Sequence, residues 1–193
     1  TLSVGATMSG AIYDLDPGSA GLCSPLVEMR FVDSAGQVLP EGETGELQVR
    51  GITVCAGYWN HPQASAAIRD GEWMRTGDLA RIDEAGFLHI VGRIKEIVIR
   101  GGENIYPREI EEVLVSHPLI SEAAVVGIPN KYLGEEVKAY VKQKPGSNLT
   151  EEQVLEYCEE HLPYYKTPKF VVFVRSFKKD PSGQILKDLI EEE

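Results

Sequence analysis

Asp78 follows Gly77 in the run Trp73-Met74-Arg75-Thr76-Gly77-Asp78, a carboxylate placed where glycine permits a tight or unusual backbone angle. One carboxylate can accept two hydrogen bonds from the vicinal hydroxyls of a ribose. Taken alone, Gly-Asp reads as a plain turn. Arg93 carries a fork of donors suited to ribose or phosphate, and beside Lys95 it also reads as a solvated surface charge. Gly101 and Gly102 precede Glu103-Asn104-Ile105-Tyr106-Pro107. Paired glycines admit a ligand or another chain close to the backbone, or simply turn it. They form neither GxxxxGK[ST] nor GxGxxG, so they are no autonomous ATP cradle. His89, His117 and His161 fall on separate elements without ligand spacing, so no metal site is expected from them. Ser65, Ser116 and Ser182 lack a nucleophile-elbow context.

A chain of 193 residues holds one ordinary domain or two small ones, and 42% hydrophobic content supports a packed core. The formal charge of -11 comes from 19 basic against 30 acidic side chains. That balance argues against nonspecific nucleic-acid binding, which draws on a basic footprint. It leaves room for a nucleotide held by backbone N–H groups and a few placed cations. Cys23, Cys55 and Cys158 are widely spaced and odd in number, so they read as buried or incidental thiols. No apolar run is long enough to span a bilayer and no signal-peptide layout opens the chain, so a cytoplasmic protein is expected. Thr1 is no initiator methionine, which suggests a start inside a larger protein.

Two textures must position these residues. Up to about Val91 the chain is glycine-punctuated and β-like. Glu46–Arg50 alternates in period two, and residues 87–91 read as another short strand. Turns are expected at Pro40-Glu41-Gly42-Glu43 and Asp83-Glu84-Ala85-Gly86. A short helix over 61–68 would take Asn60 as its N-cap. The sum is a small barrel or folded sheet. After Gly92, a helix is expected from Pro107 to Ser116 with Ile110, Val113 and Leu114 inward and Arg108, Glu111 and Glu112 facing solvent. Strands follow at 123–126, 137–141 and 170–174, with a Thr150/Gln153 capping box opening a helix to His161 and a short final helix over 185–191. This describes an α+β module of about 100 residues. The boundary falls between Ile90 and Lys95, giving parts 1–91 and 92–193.

Arg75-Thr76-Gly77-Asp78-Leu79, Gly86-Phe87-Leu88, Gly92-Arg93-Ile94-Lys95-Glu96 and the run from Gly101 to Glu111 resemble the adenylate-forming superfamily. That superfamily contains acyl- and aryl-CoA synthetases, peptide-synthetase adenylation domains and firefly luciferase. Gly45–Gly51 and Gly57-Tyr58-Trp59 fit the same pattern, so the resemblance covers essentially the whole chain. It implies that residues 1–91 are the β-barrel-like end of a large N-terminal domain. Residues 92–193 would be the mobile C-terminal domain. The implied reaction makes an acyl-adenylate from a carboxylic acid and ATP, then passes the acyl group to coenzyme A.

By this resemblance Asp78 and Arg93 would hold the ribose hydroxyls, and Lys95 would be the hinge. Gly101 and Gly102 would line the pantetheine tunnel. The implied catalytic lysine directly follows the glycine of the last motif, Gly183-Gln184-Ile185-Leu186-Lys187, so Gln184 stands in its place and adenylation would be impaired. Lys187, one helical turn on if the segment is helical, could cover for it only if the loop settled differently; Lys178 and Lys179 are also near. The ATP-phosphate loop, most of the Mg2+ site and the acyl pocket would lie in an N-terminal portion absent from this chain, leaving the 193 residues inactive alone. The alternatives are a non-catalytic interaction or regulatory module, or a stand-alone adenylation domain serving a carrier-protein thiol.

Overall fold

Alternating and periodic apolar residues sort this chain into two cores. The computed structural model describes residues 6–7, 14–16 and 18–190, and the chain divides into two compact units, Thr1–Lys95 and Glu96–Glu193. The division lies beyond Gly92 because the last strand of the first unit continues through Arg93.

In the first unit, a short antiparallel pair, β1 (Ala6–Thr7) and β2 (Leu22–Cys23), precedes β3 (Val27–Val32) and β4 (Gly45–Gly51). Helix α1 (Pro62–Ala67), β5 (Arg69–Asp70), β6 (Trp73–Ile82) and β7 (Leu88–Arg93) follow. The ten-residue β6 organises the sheet. It pairs antiparallel with β4 along one edge, and with β5 and then β7 along the other. Register shifts in both ladders bend the sheet, leaving a curled, partly open half-barrel with β3 at one edge. Val27, Phe31, Leu47, Val49, Met74, Ala80 and Leu88 form its core.

The polar face of β4 is not the solvent face that period-two alternation suggests. Glu46 and Gln48 are buried, and each has an arginine partner. Arg75 Nη2 lies 2.9 Å from Glu46 Oε2, while Arg30 donates to Gln48 Oε1 through Nε and Nη2 at 2.8 and 2.6 Å. Asn60 does not cap α1: His61 holds the N-cap position without a side-chain bond, and Asn60 takes a left-handed φ of 57°.

The second unit runs β8 (Val98–Arg100), β9 (Glu103–Ile105), α2 (Pro107–Ser116), β10 (Ile120–Asn130), β11 (Gly134–Gln143), α3 (Glu151–His161) and β12 (Phe170–Phe173). β11 is central. It pairs antiparallel with β10 on one edge and, on the other, parallel with β12 and through Gly134 with β8. The parallel pair requires a crossover connection, which α3 supplies. The Thr150/Gln153 capping box is present at the start of α3. Ile110 and Leu114 of α2 are fully buried against Val98, Ile105, Val125, Val137 and Ala139.

Two expectations here are corrected. Glu111 does not face solvent: its carboxylate accepts from Val125 N on the outer edge of β10 at 2.8 Å. The final helix is a single 3-10 turn, Lys187–Leu189, because the preceding residues form a hairpin closed by the Lys179–Ile185 bridge; Glu191 lies outside the described residues.

Candidate functional site

Asp78 and Arg93 are brought face to face by register. They are directly opposed across β6 and β7, with Arg93 Nε 3.3 Å from Asp78 Oδ1. The Asp78 side chain is 28% exposed and that of Arg93 56% exposed, so the carboxylate is the more buried partner. Gly77, at φ 74°, supplies the left-handed backbone that aims Asp78. Thr76 fixes the same turn: its Oγ1 donates to Leu47 O at 2.8 Å and accepts from Asp78 N at 3.0 Å. The sequence placed Thr76 within the motif before Asp78 but gave it no role.

Lys95 is exposed within the 3-10 turn Ile94–Glu96 and is the last residue of the first unit. Gly101 and Gly102 are the two central residues of the β8–β9 hairpin, between the paired Arg100 and Glu103. Their φ values of 61° and 92° match the mirror-image turn that two-residue hairpins require. Gly101 N donates to Leu133 O at 2.8 Å, and Gly102 has open space where a Cβ would stand. The glycine pair is therefore a turn that also leaves its tip bare. Arg100, just before it, forms a buried pair with Glu136, Nε to Oε1 2.7 Å.

Gln184 lies at the exposed end of the late hairpin. Asp180 builds that hairpin: its Oδ1 accepts from Ser182 N at 2.8 Å, Ser182 Oγ at 2.6 Å and Gln184 N at 3.0 Å. Those bonds, Ser182 first, hold the Asp180 carboxyl below its ordinary range. Gly183 closes the turn at φ 90°. Lys179 pairs with Glu122, and Lys187 sits between Glu96 and Glu111 at 2.6 and 2.7 Å.

Asp16, Asp83 and His89 form the one carboxylate–imidazole cluster of metal-ligating type among the described residues. His89 Nε2 is 2.8 Å from Asp83 Oδ2 and 3.3 Å from Asp16 Oδ2. Asp83 Oδ1 meanwhile accepts from Ala85 N and Phe87 N, and the imidazole contact is the main cause of its lowered pKa. Bridging two carboxylates with one imidazole while closing the 83–86 turn accounts for the cluster.

Residues 109–184 match the AMP-binding enzyme C-terminal domain. A long-chain-fatty-acid–CoA ligase of Escherichia coli is 43% identical over 183 residues, covering 94% of this chain and 32% of that protein. The chain thus spans about a third of the length of the curated relatives it matches. Among solved structures, o-succinylbenzoate-CoA synthetase (MenE) from Bacillus subtilis with its acyl-adenylate intermediate matches 99% of this chain and 39% of its own, with 33% identity and a TM-score of 0.89. Another structure of that enzyme holds ATP and a magnesium ion. The amide bond synthetase McbA from Marinactinospora thermotolerans covers 89% of this chain and 35% of its own at 37% identity and a TM-score of 0.83. Residues 109–184 of the second unit thus match the AMP-binding enzyme C-terminal domain, and the chain as a whole resembles acyl-CoA ligases in both sequence and fold.

Proposed function

We propose that this chain is the C-terminal portion of an ATP-dependent acid–thiol ligase that forms acyl-AMP from a carboxylic acid and then acyl-CoA. The observation that supports this most is the Asp78–Arg93 pair, a carboxylate and a guanidinium directly opposed across two strands. A ribose fits that pair: its vicinal hydroxyls donate to Asp78, and the remaining Arg93 N–H groups meet a ribose oxygen or a phosphate. ATP supplies an α-phosphorus that the substrate carboxylate attacks, with the α–β anhydride bond breaking and pyrophosphate leaving. Asp78 and Arg93 orient the nucleotide, and orientation of this kind lowers the barrier by holding reacting groups in near-attack geometry. Mg2+ and the triphosphate would be held by the portion of the protein outside this chain.

Lys95 is the proposed pivot about which the second unit turns between the two half-reactions, and the bare tip at Gly101-Gly102 would admit the pantetheine arm of coenzyme A. Gln184 is proposed to occupy the position of the catalytic lysine. An ammonium at that hairpin end would stabilise charge moving from carboxylate to α-phosphate, whereas the shorter, neutral Gln184 only donates hydrogen bonds. The first half-reaction is therefore slowed.

The test uses the full-length protein that contains this chain. Gln184→Lys should raise ATP–pyrophosphate exchange about 10-fold to 1000-fold, the value of restoring one aimed charge. Transfer from supplied acyl-adenylate to coenzyme A should change much less. If no carboxylic acid in a broad panel supports exchange with either protein, the ligase reading fails and a non-catalytic module replaces it. Transfer to a carrier-protein thiol or an amine instead of coenzyme A would correct the acceptor alone.

A further inference from the structure

Lys187, on the exit limb of the Gln184 hairpin, pairs with two carboxylates of the second unit. Its Nζ is 2.6 Å from Glu96 Oε2 and 2.7 Å from Glu111 Oε1, and its side chain is only 19% exposed. Glu111 Oε1 also accepts from Val125 N at 2.8 Å. One carboxylate oxygen therefore joins α2, the outer edge of β10 and the C-terminal turn. Glu96 is the first residue of the unit, directly after Lys95. The other limb of the hairpin is tied separately, through Lys179 to Glu122 of β10, which Lys142 of β11 also contacts. Between the two ties the backbone is closed by Asp180 N to Gln184 O at 2.9 Å and Leu186 N to Lys178 O at 2.9 Å.

We infer that Lys187 is a positioning residue: clamped by Glu96 and Glu111, it fixes the exit limb of the Gln184 hairpin to the first residue and first helix of its unit. This rests on the ligase reading only for its functional consequence. A hairpin tied at both limbs moves with the unit as one piece, so a rotation beginning at Lys95 reaches residue 184 without slack. The same clamp explains why Lys187 is not a substitute for the missing cation. Its charge is already shared by two carboxylates, and withdrawing it would leave both facing each other in a partly buried setting.

Hydrogen exchange on the full-length protein tests the clamp without reference to activity. Lys187→Ala should speed exchange at Leu186 and Leu189 by about 10-fold or more, as local opening of an untied segment does, while amides within α3 stay unchanged. Lys187→Arg should keep the protection, since a guanidinium fork can span two carboxylates. Unchanged exchange at Leu186 and Leu189 in Lys187→Ala would overturn the inference. ATP–pyrophosphate exchange supplies the second readout. If Lys187 positions, the gain from Gln184→Lys shrinks strongly in the Lys187→Ala background, because the new lysine is no longer held in place. If Lys187 is itself the reacting cation, Gln184→Lys restores full activity in that background, which also overturns the inference. Loss of amide protection in a protein that shows no adenylation with any acid upholds the clamp and counts only against the ligase reading.

Discussion

Arg100→Met isolates the buried ion pair behind the Gly101-Gly102 turn. In the folded chain Arg100 Nε lies 2.7 Å from Glu136 Oε1, with the side chains only 12% and 7% exposed. Arg100 Nη1 also donates to the carbonyls of Tyr165 at 3.1 Å and Thr167 at 3.3 Å. Methionine keeps much of the volume and removes every donor. Among the described residues it strands the Glu136 carboxylate with Val137 N as its remaining hydrogen-bond donor, at 3.1 Å. Removing one partner of a buried pair costs about 3–5 kcal/mol, and that loss is expected for the second unit. The double substitution Arg100→Met/Glu136→Leu removes the stranded charge as well. It should recover all but about 1–2 kcal/mol, the share belonging to two carbonyls left without a donor. Urea denaturation of the 193-residue chain followed by circular dichroism gives the energies. Hydrogen exchange at β11 amides assigns them to the second unit. A double variant no more stable than Arg100→Met would refute the argument, since the cost would then not lie in the uncompensated carboxylate. A single-variant loss below about 1 kcal/mol would mean the pair behaves as a surface salt bridge.

Two further predictions follow from titrating groups. The Glu122 carboxyl is held below its ordinary value of 4.5 by bonds from Lys142 and then Lys179, against an opposing effect of burial. A depressed carboxyl pKa contributes stability that is complete above the ordinary value and is lost as pH falls through the lowered one. The tie on the entry limb of the Gln184 hairpin should therefore release only below pH 4.5, and Lys179→Ala should move the Glu122 midpoint, followed by carboxyl NMR, upward; an unmoved midpoint would remove that tie. Burial pushes the Cys158 thiol up to about 11, so at pH 8 iodoacetamide should label the exposed Cys23 first and leave Cys158 intact until the chain unfolds. Mass spectrometry reads the order, and early labelling of Cys158 would show that α3 opens locally.

Much of the fold was legible because local chemistry and tertiary packing agree. The Pro107–Ser116 helix has proline in its first turn and apolar residues three and four apart, and it forms with those ends. The Thr150/Gln153 box needs only residues close in sequence and is likewise present. The turns at Pro40–Glu43 and Asp83–Gly86 close by bonds within four residues. The candidate site was less legible. Asp78 and Arg93 could be named as suitable groups, but their meeting depends on the β6–β7 register, which includes a shift between Leu79 and Ala80.

The sequence by itself determined where elements begin, which faces are apolar, and which residue types could hold a nucleotide, since all of these depend on neighbours a few positions apart. Tertiary structure decided which charges distant in sequence are paired. Glu46 and Gln48 look like solvent-facing residues of an alternating strand until Arg75 and Arg30 arrive from other strands. Glu111 looks like the polar side of a helix until β10 presents an N–H and Lys187 an ammonium. Lys187 looks like a free cation three residues after Gln184 until Glu96, far back in the chain, takes its charge. The physical reason is the same in each case. A charged side chain carries little periodic signal of its own, and its environment is set by whichever distant groups the fold delivers within 3 Å or so of it.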